Sequence, residues 1–239
     1  LFKQADLDLK NSAAFVAGHS LGEYSALTAA SGLEIATCAK LLKVRGQAMQ
    51  EAVPVGYGSM AAILGLEIDD VQNIAKSVSD EGICEAANDN SGGQVVVSGH
   101  KNAVEKAVEK ARENGAKKAV TLPVSAPFHC TLMAPAAQKM ATALADTNIR
   151  PPVVPLVSNV TAKGETDPAD IRRLLVDQVT HMVRWRESTQ WMIDNGAGQF
   201  IEIGAGKVLS GLIKRINKDV ETLSVGSPQQ IESLIENLS

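Results

Sequence analysis

The chain is 239 residues long, 45% hydrophobic, 21% charged and only 3% aromatic, with a net charge of -4. This is a globular composition with an aliphatic, alanine-rich core, long enough for one full core plus a small inserted domain. It excludes a nucleic-acid partner, since there is no basic run, and a membrane span, since no apolar run approaches about 20 residues.

No charged n-region leads into an apolar h-region, so no secretory signal is read. Cys38, Cys84 and Cys130 are far apart and odd in number, and the four histidines are scattered. Neither a metal site nor a disulfide framework is expected, and a reduced, cytoplasmic setting is.

The chain opens without Met in a helix-like stretch, residues 1–5, and an N-terminal portion is expected to be missing. Residues 13–17 read as a central strand and 21–30 as a helix stopped by Gly32. Residues 34–53 read as a long helix ended by Pro54. Within it, Gly46 follows Arg45; a mid-helix glycine costs about 1 kcal/mol relative to alanine, and something approaching the backbone closely would explain it.

The pattern then changes. A strand at 59–66 precedes a helix from Asp69 to about 78 and a short strand at 83–87. Residues 88–93 form a dense turn cluster. A β-branched strand follows at 94–98, then a helix at 101–114 with Val104, Ala107, Val108 and Ala111 on one face, stopped by Gly115, and a strand at 119–122. The order β-α-β-β-α-β is ferredoxin-like. It predicts an inserted small domain, 58–122, within a large domain made of 1–57 and 123–239.

Residues 123–130 hold two prolines and form a stiff connection back out. Beyond it come a helix at 132–145, a strand at 153–157 and a helix opened by Asp167-Pro168 and running to 179. A helix at 187–195, a strand at 200–203, a helix at 207–217, a strand at 222–225 and a helix at 228–238 complete the chain. This alternation predicts an α/β fold with a mostly parallel sheet covered on both faces.

The chemistry centres on Gly18-His19-Ser20-Leu21-Gly22, a Gly-x-Ser-x-Gly pattern between strand and helix. It fits a nucleophile elbow, in which Gly18 and Gly22 leave room for a tight reversal and the Leu21 N–H faces an anion at the helix N-terminus. It fits equally a serine that caps a helix. A serine nucleophile needs a base. His19 is adjacent and must point elsewhere; His129, at the end of the stiff connection, lies at a cleft between domains or on a surface loop. Arg45 is a bidentate clamp for a carboxylate or phosphate, or a solvated side chain. Gly204-Ala205-Gly206-Lys207 is a phosphate-cradling turn or tight strand-to-helix packing. Lys117 and Lys118 steer an acidic partner or are ordinary surface charge.

Taken together, several of these segments resemble the malonyl-CoA:acyl carrier protein transacylase family. They are Gly18-His19-Ser20-Leu21-Gly22-Glu23-Tyr24-Ser25-Ala26, Val44-Arg45-Gly46, Asn90-Ser91-Gly92-Gly93-Gln94-Val95-Val96, Pro123-Val124-Ser125-Ala126-Pro127-Phe128-His129-Cys130 and Gly204-Ala205-Gly206-Lys207-Val208-Leu209. The resemblance implies an α/β-hydrolase-like large domain with a ferredoxin-like insert. It implies malonyl transfer from malonyl-CoA to the phosphopantetheine thiol of acyl carrier protein, through a malonyl-Ser20 intermediate and without cofactor. By resemblance His129 is the base, Leu21 gives an oxyanion N–H and the Gln178 backbone carbonyl orients the histidine. Arg45 pairs with the malonyl carboxylate, Asn90 lines the cleft from the insert, and Phe128 crowds an α-substituent. A monomer is expected, with carrier protein docking through Lys117 and Lys118. The family's early Gly-Gln-Gly segment, whose glutamine completes the oxyanion hole, is not found here. The rival readings are a serine thioesterase or hydrolase of the same architecture, a non-catalytic carrier-protein-binding fragment and a domain excised from a larger synthase.

Overall fold

A computed structural model describes residues 8–124 and 126–238. The expected opening helix at 1–5, and Ser125, lie outside the described residues. The elements in chain order are α1 (Leu9–Ser12), β1 (Val16–Ala17), α2 (Leu21–Ala29), α3 (Ile35–Glu51), β2 (Gly58–Leu64), α4 (Ile68–Lys76), β3 (Cys84–Ser91), β4 (Gln94–His100), α5 (Lys101–Glu113) and β5 (Lys118–Thr121). They continue with α6 (Ala134–Ala145), β6 (Leu156–Val157), β7 (Gly164–Glu165), α7 (Pro168–Asp177), α8 (Trp185–Asp194), β8 (Gln199–Ile203), α9 (Val208–Ile216), β9 (Glu221–Val225) and α10 (Pro228–Leu238). Among the described residues, no helix is long and apolar enough to cross a membrane.

The strands of the outer segments pair in parallel as expected, β1 with β6 and β8 with β9. They belong to two small sheets, however, and β7, which the sequence did not reveal, adds an antiparallel edge to β6. The strands expected at 13–17 and 153–157 shrink to two residues each. Around them α2, α3, α6 and α7 close one aliphatic core, in which Tyr24, Leu27, Met140, Leu144, Ile171 and Leu175 are fully enclosed. Cutting one of these leucines to alanine costs about 2–5 kcal/mol, since the cavity left behind closes only partly.

Capping follows local chemistry. The Asp167 side chain accepts from the N–H groups of Ala169 and Asp170, and Pro168 fills the first turn of α7. At the end of α2, Ser31 rather than Gly32 takes the left-handed conformation (φ 64°). Gly32 is needed one position later: its N–H reaches the Leu27 carbonyl at 2.9 Å, and a Cβ there would stand 2.2 Å from the Leu27 side chain.

Residues 58–121 form a four-stranded antiparallel sheet of order β3-β4-β2-β5, with α4 and α5 on one face. The faces of α4 and α5 that carry Val71, Ile74, Val104, Ala107, Val108 and Ala111 bury against Ile63, Val95 and Val97 of the sheet. That is the ferredoxin-like order.

One expectation fails here. Residues 88–91 are not a turn: β3 runs through them to Ser91, and the reversal is confined to Gly92-Gly93. Asn88, Asp89, Asn90 and Ser91 are all buried. The polar run is a seam. Asp89 N–H donates to the Val183 carbonyl (3.0 Å), Val183 N–H donates to the Ala87 carbonyl (2.9 Å), and the Arg186 guanidinium meets buried Asp89 at 2.8 Å. The Asp89 carboxylate and the backbone beside it are satisfied across the junction, whereas the Ser91 hydroxyl is buried without a partner among the described residues. The two crossovers meet where Gly58 packs on the Pro127 ring; a Cβ on Gly58 would come within 2.4 Å of it.

Candidate active site

Ser20 stands between β1 and α2 with φ 52° and ψ -109°, a conformation that costs a non-glycine residue about 1–3 kcal/mol. Its side chain makes no capping hydrogen bond, so the helix-cap reading falls. The reversal is made possible by Gly18, whose Cβ would lie 2.0 Å from the Gly22 backbone. Gly22 itself has open space where a Cβ would sit, so the crowding expected at both glycines is confined to the first. The Leu21 N–H opens α2 without an acceptor among the described residues, and the Leu21 side chain is exposed.

The strain is held by two side-chain amides. Asn159, just past β6, accepts the Ser20 N–H at its Oδ1 (2.7 Å) and donates Nδ2–H to the Gly18 carbonyl (2.8 Å). Gln178, at the end of α7, donates Nε2–H to the Ser20 carbonyl (3.0 Å). With both sides of its peptide tied, Ser20 aims Oγ away from the backbone.

His129 and Ser20 come together. Ser20 Oγ lies 2.7 Å from His129 Nε2, and His129 Nδ1 lies 2.8 Å from the Gln178 carbonyl oxygen. A carbonyl only accepts, so the proton belongs on Nδ1 and Nε2 is left to accept the serine O–H. His129 is 4% exposed and itself holds φ 59°. Burial, and then the nearby Arg45 charge, push its pKa down to about 3. The imidazole is therefore neutral and able to take a proton.

Arg45 sits on α3, 6% exposed. Its Nη2 donates to Ser20 Oγ and to Gln178 Oε1, each at 2.9 Å, and its guanidinium lies 5.9 Å from the Tyr24 ring centroid. No carboxylate touches it among the described residues, and its Nε is buried without a partner. Ser20, Arg45, Gly46, Met49 and Phe128 line a cavity of about 180 Å³. The mid-helix Gly46 thus serves the site, because its missing side chain leaves the cavity wall open beside Arg45. The pocket offers a hydroxyl, a neutral base and a buried cation that no carboxylate touches among the described residues. It is shaped to acylate a serine with a small group that ends in an anion.

The remaining expected residues are placed differently. Asn90 is buried in β3, and its Oδ1 lies 2.8 Å from His19 Nε2, so it meets the elbow through His19 rather than at the cavity. His19 does point away from the serine, with its ring 5.7 Å from that of Trp185. Lys117 and Lys118 are exposed at the edge strand β5, away from the cavity lining. The phosphate-cradle alternative for residues 204–207 is not supported: the first N–H groups of α9, on Leu209 and Ser210, are already taken by the Glu202 carboxylate.

Sequence reasoning missed Asn159 and Glu23. The signal for Asn159 is its place two residues beyond the strand that runs parallel to the elbow strand, since sites gather at the carboxyl ends of parallel strands. Glu23, in the first turn of α2, is 1% exposed, and burial pushes its pKa up to about 7.

The fold and site define an acyltransferase-type α/β protein with a smaller antiparallel sheet beside the α/β part. Residues 11–233 match the acyl transferase domain family. The chain is 47% identical over 225 residues to the malonyl CoA-acyl carrier protein transacylase of Bacillus subtilis strain 168, covering 94% of this chain and 71% of that one. Among solved structures, it is similar to the acyl-carrier-protein-S-malonyltransferase of Bartonella henselae (TM-score 0.96, 53% identity, 99% of this chain and 76% of that chain). It is also similar to a malonyl-transacylase solved with its type II PKS acyl-carrier protein (TM-score 0.91, 42% identity, 94% and 72% of the two chains). The chain belongs to the acyl transferase domain family, the family of these malonyl transacylases.

Proposed function

We propose that the protein transfers malonyl from malonyl-CoA to the thiol of acyl carrier protein, with Ser20 as the acylated nucleophile. The observation that carries the reading is the placing of one oxygen, Ser20 Oγ, 2.7 Å from the base nitrogen of His129 and 2.9 Å from Arg45 Nη2. His129 takes the serine proton as Oγ attacks the thioester carbonyl, and gives it to the departing CoA sulfur. The Gln178 carbonyl holds the imidazole through Nδ1–H and does the work of a triad carboxylate. The Leu21 N–H faces the tetrahedral oxyanion.

The carrier thiol reverses the sequence. It gives its proton to His129, attacks the seryl ester and leaves with malonyl, while Oγ regains the proton. Arg45 supplies the counter-charge for the malonyl carboxylate, which an acetyl group lacks; Phe128 closes the cavity against a branched α-carbon. Asn90 fixes His19 at the cleft wall. No metal or redox cofactor takes part.

Residues 58–122 form the inserted subdomain within 1–57 and 123–239. The protein works as a cytoplasmic monomer, with Lys117 and Lys118 drawing in the acidic carrier. One structural relative was solved together with an acyl-carrier protein, which supports that choice of acceptor.

Product analysis tests the reading. Malonyl-CoA with the thiol form of carrier protein is expected to give malonyl-carrier protein and free CoA. Free malonate, formed at the same rate with and without carrier, would instead make the protein a hydrolase.

A further inference from the structure

Glu23 takes no part in the proton transfers of acylation and does not line the cavity, yet it sits directly beneath the elbow. Its Oε2 accepts from Gln178 Nε2 at 2.7 Å and from the Asn159 N–H at 3.1 Å. These two residues are the ones that tie Ser20: Asn159 Oδ1 holds its N–H and Gln178 Nε2 holds its carbonyl. Gln178 also places Arg45 through Oε1 and His129 through its backbone oxygen. A single buried carboxyl is therefore shared by both clamps of the strained serine.

An apolar residue would fill this enclosed position without the desolvation cost of an acid. Both bonds arrive at one oxygen, and the carbonyl oxygen of a neutral carboxyl group can accept both, as can the amide oxygen of a glutamine. The role rests on the acceptor, not on the charge.

We propose that Glu23 is a positioning residue for acyl transfer: it fixes Asn159 and Gln178, and through them holds Ser20 in the conformation that aims Oγ at His129. The inference rests on the reading of Ser20 as nucleophile.

The test is rapid-quench intact-mass measurement of the full chain mixed with malonyl-CoA, giving a maximal acylation rate and a half-saturating concentration. Glu23→Ala is expected to lower the maximal rate about ten- to a hundredfold, the scale of a small misplacement of a reacting group, with half-saturation shifted by less than about threefold. Glu23→Gln, which keeps the acceptor oxygen, is expected to recover most of that rate. Adding Asn159→Ala to Glu23→Ala is expected to cost little beyond the slower single variant, because the two act as one unit. If Glu23→Ala does not fold, Glu23→Asp, which withdraws the carboxyl by one methylene, replaces it with the same expectation.

Wild-type acylation in the alanine or aspartate variant overturns the proposal. So does a glutamine variant as slow as alanine, a loss confined to half-saturation, or full additivity with Asn159→Ala. An adduct that survives Ser20→Ala overturns the underlying reading instead.

Discussion

Arg45 Nη2 lies 2.9 Å from Ser20 Oγ, so the hydroxyl that reacts and the cation that would select the acyl group share a hydrogen bond. With no carboxylate in contact among the described residues, the buried guanidinium is a charge awaiting its partner, and a substrate without one leaves it unpaired at a cost of several kcal/mol. Arg45→Ala is expected to slow malonyl acylation and to lower the preference for malonyl over acetyl by on the order of a hundredfold. Acylation rates with malonyl-CoA and acetyl-CoA, compared in both proteins, check this; an unchanged ratio removes Arg45 as the selector.

Two buried groups make opposite demands on pH. His129, held near 3 against an ordinary 6.5, is neutral in the folded protein while the unfolded chain is still protonated. Its contribution is complete above pH 6.5 and is lost as pH falls toward 3. Glu23, held near 7 against an ordinary 4.5, keeps its proton after the unfolded chain has lost it. Its contribution is complete below pH 4.5 and is lost as pH rises toward 7, up to about 3 kcal/mol. Between pH 4.5 and 6.5 the two slopes oppose one another. Urea denaturation of Glu23→Gln across this window is expected to remove the Glu23 slope, so that stability rises with pH by about 1.4 kcal/mol per unit more steeply than in the wild type. A variant with the wild-type slope would contradict the Glu23 assignment.

The glycines of the site are expected to separate by substitution. Gly18→Ala places a methyl 2.0 Å from the Gly22 backbone, where nothing can yield cheaply, and is expected to abolish soluble expression. Gly46→Ala meets no atom within 4 Å and sits inside α3. It is expected to raise the melting temperature, through a helix-propensity gain of up to about 1 kcal/mol. Its methyl projects into the acyl cavity, so acylation by malonyl-CoA falls in the same protein. A variant both more stable and fully active would show that Gly46 does not border the bound acyl group.

The parts of the fold with one dominant local signal were legible in the sequence. Helix α5 buries Val104, Ala107, Val108 and Ala111, the face read from the sequence, and Asp167-Pro168 opens α7 as read. Segments whose conformation is set across the junction were not. Asn88 to Ser91 read as a turn because those side chains cap and turn when solvated, whereas here the backbone bridges to Val183 at a sheet edge and Arg186 takes up the Asp89 carboxylate. At the site, Ser20, Arg45 and His129 were candidates by residue type and local context, and only the family resemblance chose between their alternatives. Asn159 and Glu23 could not, since an amide and a buried acid acquire meaning only when the elbow is folded against them.

Intact-mass measurement after mixing the protein with malonyl-CoA tests the proposed chemistry most directly. The expected result is a single malonyl adduct that is absent from Ser20→Ala and is discharged by the thiol form of acyl carrier protein. No adduct on the wild-type protein, or an adduct that persists in Ser20→Ala, would contradict it.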